Sequence, residues 1–173
     1  MIVIVEGIDR VGKTTFCNKL SESLNIPIYK KDRVNITASA RDSALINLGD
    51  AIGTIDFWNS NCKYESIIVD RFYWTEYVYT KIERYHDISK DNIQAVENRM
   101  MTKRDNYIIV YVRPTNVEWS SSRHGSSLQP HLSEFDELFS ASKLNILVTD
   151  FNHLDETCKQ VISIIKTSEE LRK

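Results

Sequence analysis

Five short runs along the chain are apolar at nearly every position: 2–6 (I-V-I-V-E), 26–30 (I-P-I-Y-K), 66–70 (S-I-I-V-D), 107–112 (Y-I-I-V-Y-V) and 144–149 (L-N-I-L-V-T). A strand with one wet face alternates apolar and polar residues, whereas a strand covered on both faces does not. The stretches between the runs repeat their apolar residues at helical spacing instead. Lys13 to Leu24 places Phe16, Leu20 and Leu24 on one side, and 38–60 does the same with Leu45, Leu48, Ile52 and Ile55, although Gly49 and Gly53 weaken that helix. Segments 73–85 and 89–103 read as two further helices. Another opens at 115–123, is broken by H-G-S-S-L-Q-P-H at 124–131, and resumes over 132–141. The tail, 152–171, lines up Leu154, Cys158, Val161, Ile162 and Ile165. Fully apolar strands separated by helices predict an α/β fold: a parallel sheet of about five strands covered by helices on both faces. No repeat, low-complexity tract or linker divides residues 1–173, so one domain is expected, with a short lid near 120–132 in the glycine- and serine-rich break. In such sheets ligands bind at the carboxyl ends of the strands.

Composition narrows the function classes. The chain has 173 residues, 42% hydrophobic and 27% charged, with a formal net charge of −2. That is an ordinary globular mixture with enough chain for a real core, and it argues against a general nucleic-acid binder. The opening apolar run is five residues long, too short for a signal peptide or a membrane span. Cys17, Cys62 and Cys158 are widely spaced and match no zinc pattern, which predicts free thiols in a reducing, cytoplasmic setting.

The strongest chemical signal is G-I-D-R-V-G-K-T, residues 7–14, which has the spacing G-x-x-x-x-G-K-[ST] between a strand and a helix. Glycine lets the backbone curl until its N–H groups face phosphate oxygens, and the following helix N-terminus adds partial positive charge. Gly7, Ile8, Asp9, Arg10, Val11, Gly12, Lys13, Thr14 and Thr15 would thus cradle a nucleoside triphosphate, with Lys13 at the β- and γ-phosphates and Thr14 on Mg²⁺. Phosphate holding alone does not require the acid and base at its crown, Asp9 and Arg10.

Asp70 follows the third apolar run and is the type of carboxylate that organises Mg²⁺ opposite a phosphate loop. It also suits a general base for an acceptor hydroxyl or phosphate, and its purely structural alternative is a helix cap or a surface ion pair. Arg71 beside it has the fork geometry for a phosphate, and Lys30, Lys31 and Arg33 form a basic cluster after the second run. That cluster suits a second phosphorylated ligand, or simply a solvated loop.

These residues resemble a family. E-G-I-D-R-V-G-K-T-T is similar to the phosphate loop of thymidylate kinases, commonly E-G-x-D-R-x-G-K-[ST]-T. V-D-R-F followed by Thr75 resembles that family's D-R-[YH]-x-x-S motif, Asp32-Arg33 its acid-arginine step, and S-N-C-K-Y-E at 60–65 its S-A-N-R-W-E segment. The resemblance implies a phosphate-loop NTPase-type three-layer kinase domain, ATP as donor, Mg²⁺ as cofactor, nucleotides as small-molecule ligands and a homodimer. It implies that Asp9 contacts the acceptor's sugar 3′-hydroxyl and that Arg10 acts at the transferring phosphate. By the same match Arg33 and Arg71 hold the acceptor phosphate, and Asp70 organises Mg²⁺ or its waters. Lys63 and Thr75 lie at the acceptor, Phe57 or Trp58 stacks on its base, and Arg123 approaches the donor. Phe72 and Lys63 depart from the family's usual residues around the base, and the lid is short.

Three function classes follow. The first is a nucleoside monophosphate kinase moving the γ-phosphate of ATP to a pyrimidine deoxynucleotide, dTMP or a modified dUMP. The second is a deoxynucleoside kinase with Asp32 as base for a 5′-hydroxyl; such enzymes tend to show E-R-S where this chain has D-R-F. The third is an ATPase or GTPase switch, for which a guanine-reading N-K-x-D would speak; Asn18-Lys19 is followed instead by Leu20-Ser21.

Overall fold

The computed structural model describes residues 1–30, 40–61, 66–83, 88–115 and 127–171, with 40–44 described by backbone alone. Lys31, Asp32, Arg33, Lys63, Arg123, the expected helix after 115 and most of the expected lid lie outside the described residues. Five strands form one parallel sheet: β1 (Ile2–Glu6), β2 (Ile28–Lys30), β3 (Ile67–Asp70), β4 (Tyr107–Val112) and β5 (Ile146–Thr149), in the order β2-β3-β1-β4-β5. β1 and β4 are buried at every position, as uninterrupted apolar runs require. The edge strands are not: β2 is mostly exposed and Val148 of β5 is 62% exposed.

The helices are α1 (Lys13–Leu24), α2 (Ala40–Asn61), α3 (Tyr73–Glu83), α4 (Lys90–Met101), α5 (Gln129–Ala141) and α6 (Leu154–Glu170). From β1 the chain crosses outward to β2, and every later crossover runs the other way across the sheet. Right-handed crossovers therefore put α1 on one face and α2 to α5 on the other. α6 packs beside α1, and α3 packs beside α5, completing three layers. Because helices leave β1 toward one face and β3 and β4 toward the other, the carboxyl end of β1 is the topological switch point, the place where ligands bind in such sheets.

Three expectations need correction. α5 begins at Gln129 and not after the break, because Pro130 falls in its first turn, where the missing N–H costs nothing. α2 runs unbroken through Gly49 and Gly53, both exposed, and buries Ala51, Ile55 and Trp58, while Leu45 is 55% exposed. The first turn of the tail is a short 3-10 turn, Phe151–His153, capped by the Asp150 carboxylate, which accepts from the Asn152 and His153 N–H groups.

Candidate active site

Register brings the chemistry together. Val5 lies level with Asp70, Lys30 level with Asp70, and Glu6 level with Tyr111. The ends of β1, β2, β3 and β4 thus meet at one rim. The loop leaving β1 needs its glycines. Gly7 has φ 138°, and a Cβ there would collide with the Val112 carbonyl oxygen at the end of β4. Gly12 has φ 93° and opens α1; a Cβ there would sit 2.9 Å from the Phe151 ring and 3.1 Å from Leu154. Arg10 between them is also left-handed, at φ 66°. Ile8 and Val11 bury their side chains, pinning the loop to the core, whereas Arg10, Thr14 and Thr15 are exposed.

Lys13 sits in the first turn of α1, only 4% exposed, and its ammonium donates to the Ile8 carbonyl across the loop. Burial pushes its pKa down to about 8, with Arg71 adding to the effect and Asp9, Glu6 and Asp70 opposing it. Thr14 Oγ1 donates to Asp70 Oδ2 at 3.1 Å. Lys30 Nζ lies 3.8 Å from the same oxygen. Asp70 Oδ1 is buried without a hydrogen-bond partner among the described residues. A hydroxyl touching a carboxylate whose other oxygen is orphaned fits Mg²⁺, which takes one or two protein oxygens and keeps waters and phosphate oxygens for the rest.

At the crown, Asp9 and Arg71 meet. Arg71 Nη2 lies 2.5 Å from Asp9 Oδ1, both partly exposed. Arg71 takes this position from a left-handed turn, φ 73°. The Asp9 N–H donates to the Tyr79 hydroxyl at 3.0 Å, and burial together with the Asp9 charge pushes that phenol up to about 12. Arg10 is exposed at the loop surface and makes no hydrogen bond or ion pair among the described residues.

Other sequence candidates lie elsewhere. Thr75 is 4% exposed and donates its hydroxyl to the buried Glu6 carboxylate, so that group is committed inside the core. Trp58 is 4% exposed, edge-on to Tyr29 and tilted against Phe72 at 5.3 Å, so a base stacking on it would have to displace one of them. Phe57, its neighbour on α2, is 61% exposed. Two residues went unpredicted: Tyr79 and Glu6 as partners of the site. Tyr79 left no signal, whereas a carboxylate ending the otherwise apolar run I-V-I-V-E was a sign of a dedicated partner.

Beyond the loop, a cavity of about 380 Å³ lies at the ends of β4 and β5, lined by Arg113, Thr115, Asp150, His153, Glu156 and Gln160 among others. Arg113 is held there bidentately by Asp136 at 2.9 and 3.0 Å, and Tyr111 donates to the same carboxylate. Phe151, whose ring packs on Gly12, is 65% exposed.

No family model matches the chain. It is 21% identical over 174 residues to the SPbeta prophage-derived protein YorR of Bacillus subtilis (strain 168), spanning 95% of this chain and 99% of that one. The crystal structure of YorR in complex with phosphorylated GDP superposes with a TM-score of 0.68 at 20% identity, over 98% of both chains. Deoxyadenosine kinase from M. mycoides with bound dATP gives a TM-score of 0.60 at 12% identity, covering 96% of this chain and 100% of that one. Thymidylate kinase from Ehrlichia chaffeensis gives 0.60 at 16%, covering 95% and 98%. The likeness is one of architecture: the chain has the three-layer phosphate-loop fold of these structures.

Proposed function

We propose that the protein is a nucleoside monophosphate kinase that transfers the γ-phosphate of ATP to a pyrimidine deoxynucleotide, dTMP or a modified dUMP. The observation that carries this reading is the Asp9–Arg71 pair at the crown of the phosphate loop, beside the Thr14–Asp70 contact. A loop that only holds phosphates has no need of a second cation aimed across it. An acceptor bearing its own phosphate does. Arg71 would take that phosphate, and Asp9, released or shared, would accept from a sugar hydroxyl. An acceptor phosphate oxygen then attacks the γ-phosphorus, the bond to the β-phosphate oxygen breaks, and ADP leaves with a nucleoside diphosphate as partner product.

Phosphoryl transfer is mostly positioning and charge stabilisation. Lys13 would turn from the Ile8 carbonyl to the donor phosphates, and the exposed Arg10 cation would face the transferring group. Mg²⁺, held by Thr14 and Asp70, would neutralise charge on the donor phosphates. Arg33, Lys63 and Arg123 are proposed for acceptor phosphate, acceptor base and donor by sequence resemblance. The exposed Phe151 and the adjoining cavity offer room for the donor's nucleoside end. A deoxynucleoside kinase is the second reading, because a deoxyadenosine kinase and a thymidylate kinase superpose equally well. Parallel assays with monophosphates and unphosphorylated nucleosides separate the two. Lys13→Ala should abolish transfer to any acceptor; full activity in that variant would remove the phosphate loop from the mechanism.

A further inference from the structure

We propose that Glu6 is a positioning residue that fastens the Arg71 turn to the phosphate loop, so that the acceptor-side cation and the donor loop keep one fixed relation; this rests on the phosphotransferase reading above. Glu6 ends β1, directly before Gly7, and is completely buried. Both of its carboxylate oxygens are used. Oε1 accepts from the Phe72 N–H at 2.7 Å, and Oε2 accepts from the Thr75 hydroxyl. Phe72 immediately precedes α3 and Thr75 lies in its first turn. A side chain from the strand that carries the phosphate loop therefore satisfies the N-terminus of the helix that follows Asp70-Arg71. A carboxylate is favoured there by the helix dipole.

The backbone repeats the link. The Arg71 N–H donates to the Val5 carbonyl at 3.1 Å. Consecutive N–H groups, of Arg71 and Phe72, are thus tied to consecutive residues of β1, Val5 and Glu6. Between these ties Arg71 holds φ 73°, a conformation that is strained for a non-glycine residue and persists only where its surroundings impose it. That turn aims the guanidinium at Asp9. A buried carboxylate is an expensive way to cap a helix. Burial raises the Glu6 pKa, while the hydrogen bonds from Thr75 and Phe72 and the charges of Lys13 and Arg71 favour its ionised form.

The test is Glu6→Gln, which keeps the side-chain size and an acceptor for Phe72, with Thr75→Val as a milder second variant. KM for the acceptor monophosphate should rise roughly tenfold, the scale of a small misorientation, while KM for ATP stays within about twofold. Thr75→Val should move the same constant by less. Equal changes in both constants, or a loss that only follows the folded fraction, would make Glu6 a structural residue and overturn the proposal. Amide exchange without ligand gives an independent readout. Residues 71–76 should exchange faster in Glu6→Gln, with the sheet unaltered. If the wild-type protein turned over no monophosphate, the monophosphate-kinase reading would fall and exchange would decide alone: acceleration confined to 71–76 supports the fastening, and unchanged exchange there overturns it.

Discussion

Lys13 holds a charge in a place where burial opposes it, and this gives the site a pH signature. With its pKa brought down to about 8, the free protein loses the ammonium as pH rises through that value. kcat/KM for ATP should therefore fall above about pH 8. Stability moves the other way: the unfolded chain keeps the proton up to the ordinary lysine value of 10.5, so between about 8 and 10.5 it binds more protons and folding stability rises with pH. Lys13→Met should remove that rise, measured as urea midpoints across the window. A kcat/KM profile flat to pH 10 would contradict the buried-lysine account. Arg10 is exposed and makes no hydrogen bond or ion pair among the described residues, so in the proposed mechanism it serves the reaction and not the fold. Arg10→Ala should lower kcat by roughly 10³–10⁵ without altering the thermal melt; a near-normal kcat would exclude it. Asp70→Asn should raise the Mg²⁺ concentration for half-maximal rate about 10–100-fold, and an unchanged Mg²⁺ titration would take Asp70 out of the metal site. At this scale the sequence showed what is local. Gly7 and Gly12 are legible because a left-handed backbone demands glycine close by. The Asp9–Arg71 pair, the Tyr79 contact and the Glu6 cap join residues 62, 70 and 66 positions apart, and no local rule reports such meetings.

Elements follow from periodicity where both sides of the pattern are strong. β1 and β4 match their apolar runs because every residue in them is buried, and α1 matches its helical spacing because Phe16, Cys17 and Leu20 form one buried face. α2 shows the limit. Its apolar stripe is interrupted, its inward face is set by packing against α3 and α4, and Leu45 turns outward. Gly49 and Gly53 within it meet nothing within 4 Å of an added Cβ. Alanine at either position should add about 0.5–1 kcal/mol by reducing the freedom of the unfolded chain. The double variant should melt higher by roughly 2–4 °C per kcal/mol gained; a lower melting temperature would mean that this exposed face has a packing partner. Pro130 misled the reading of α5 because a proline inside a helix breaks it, whereas one in the first turn begins it, and only the fold says which applies.

At the scale of the whole molecule, the strand order explains why two distant motifs form one site. Placing β1 between β3 and β4 sets the phosphate loop beside Asp70-Arg71, at the point where the helices leave to opposite faces. Apolar runs predicted a five-stranded parallel sheet; they did not reveal its order, because any buried parallel strand suits any interior slot. No helix among the described residues is long and apolar enough to cross a membrane. The central claim is that this site joins a triphosphate to a nucleotide already carrying one phosphate. The most direct measurement is ADP release from Mg·ATP with dTMP, dUMP, 5-substituted dUMPs, dCMP, dGMP, dAMP and thymidine supplied separately. The account predicts turnover with a pyrimidine deoxynucleoside monophosphate and none with thymidine. Turnover with thymidine alone, or with no acceptor in the set, would contradict it.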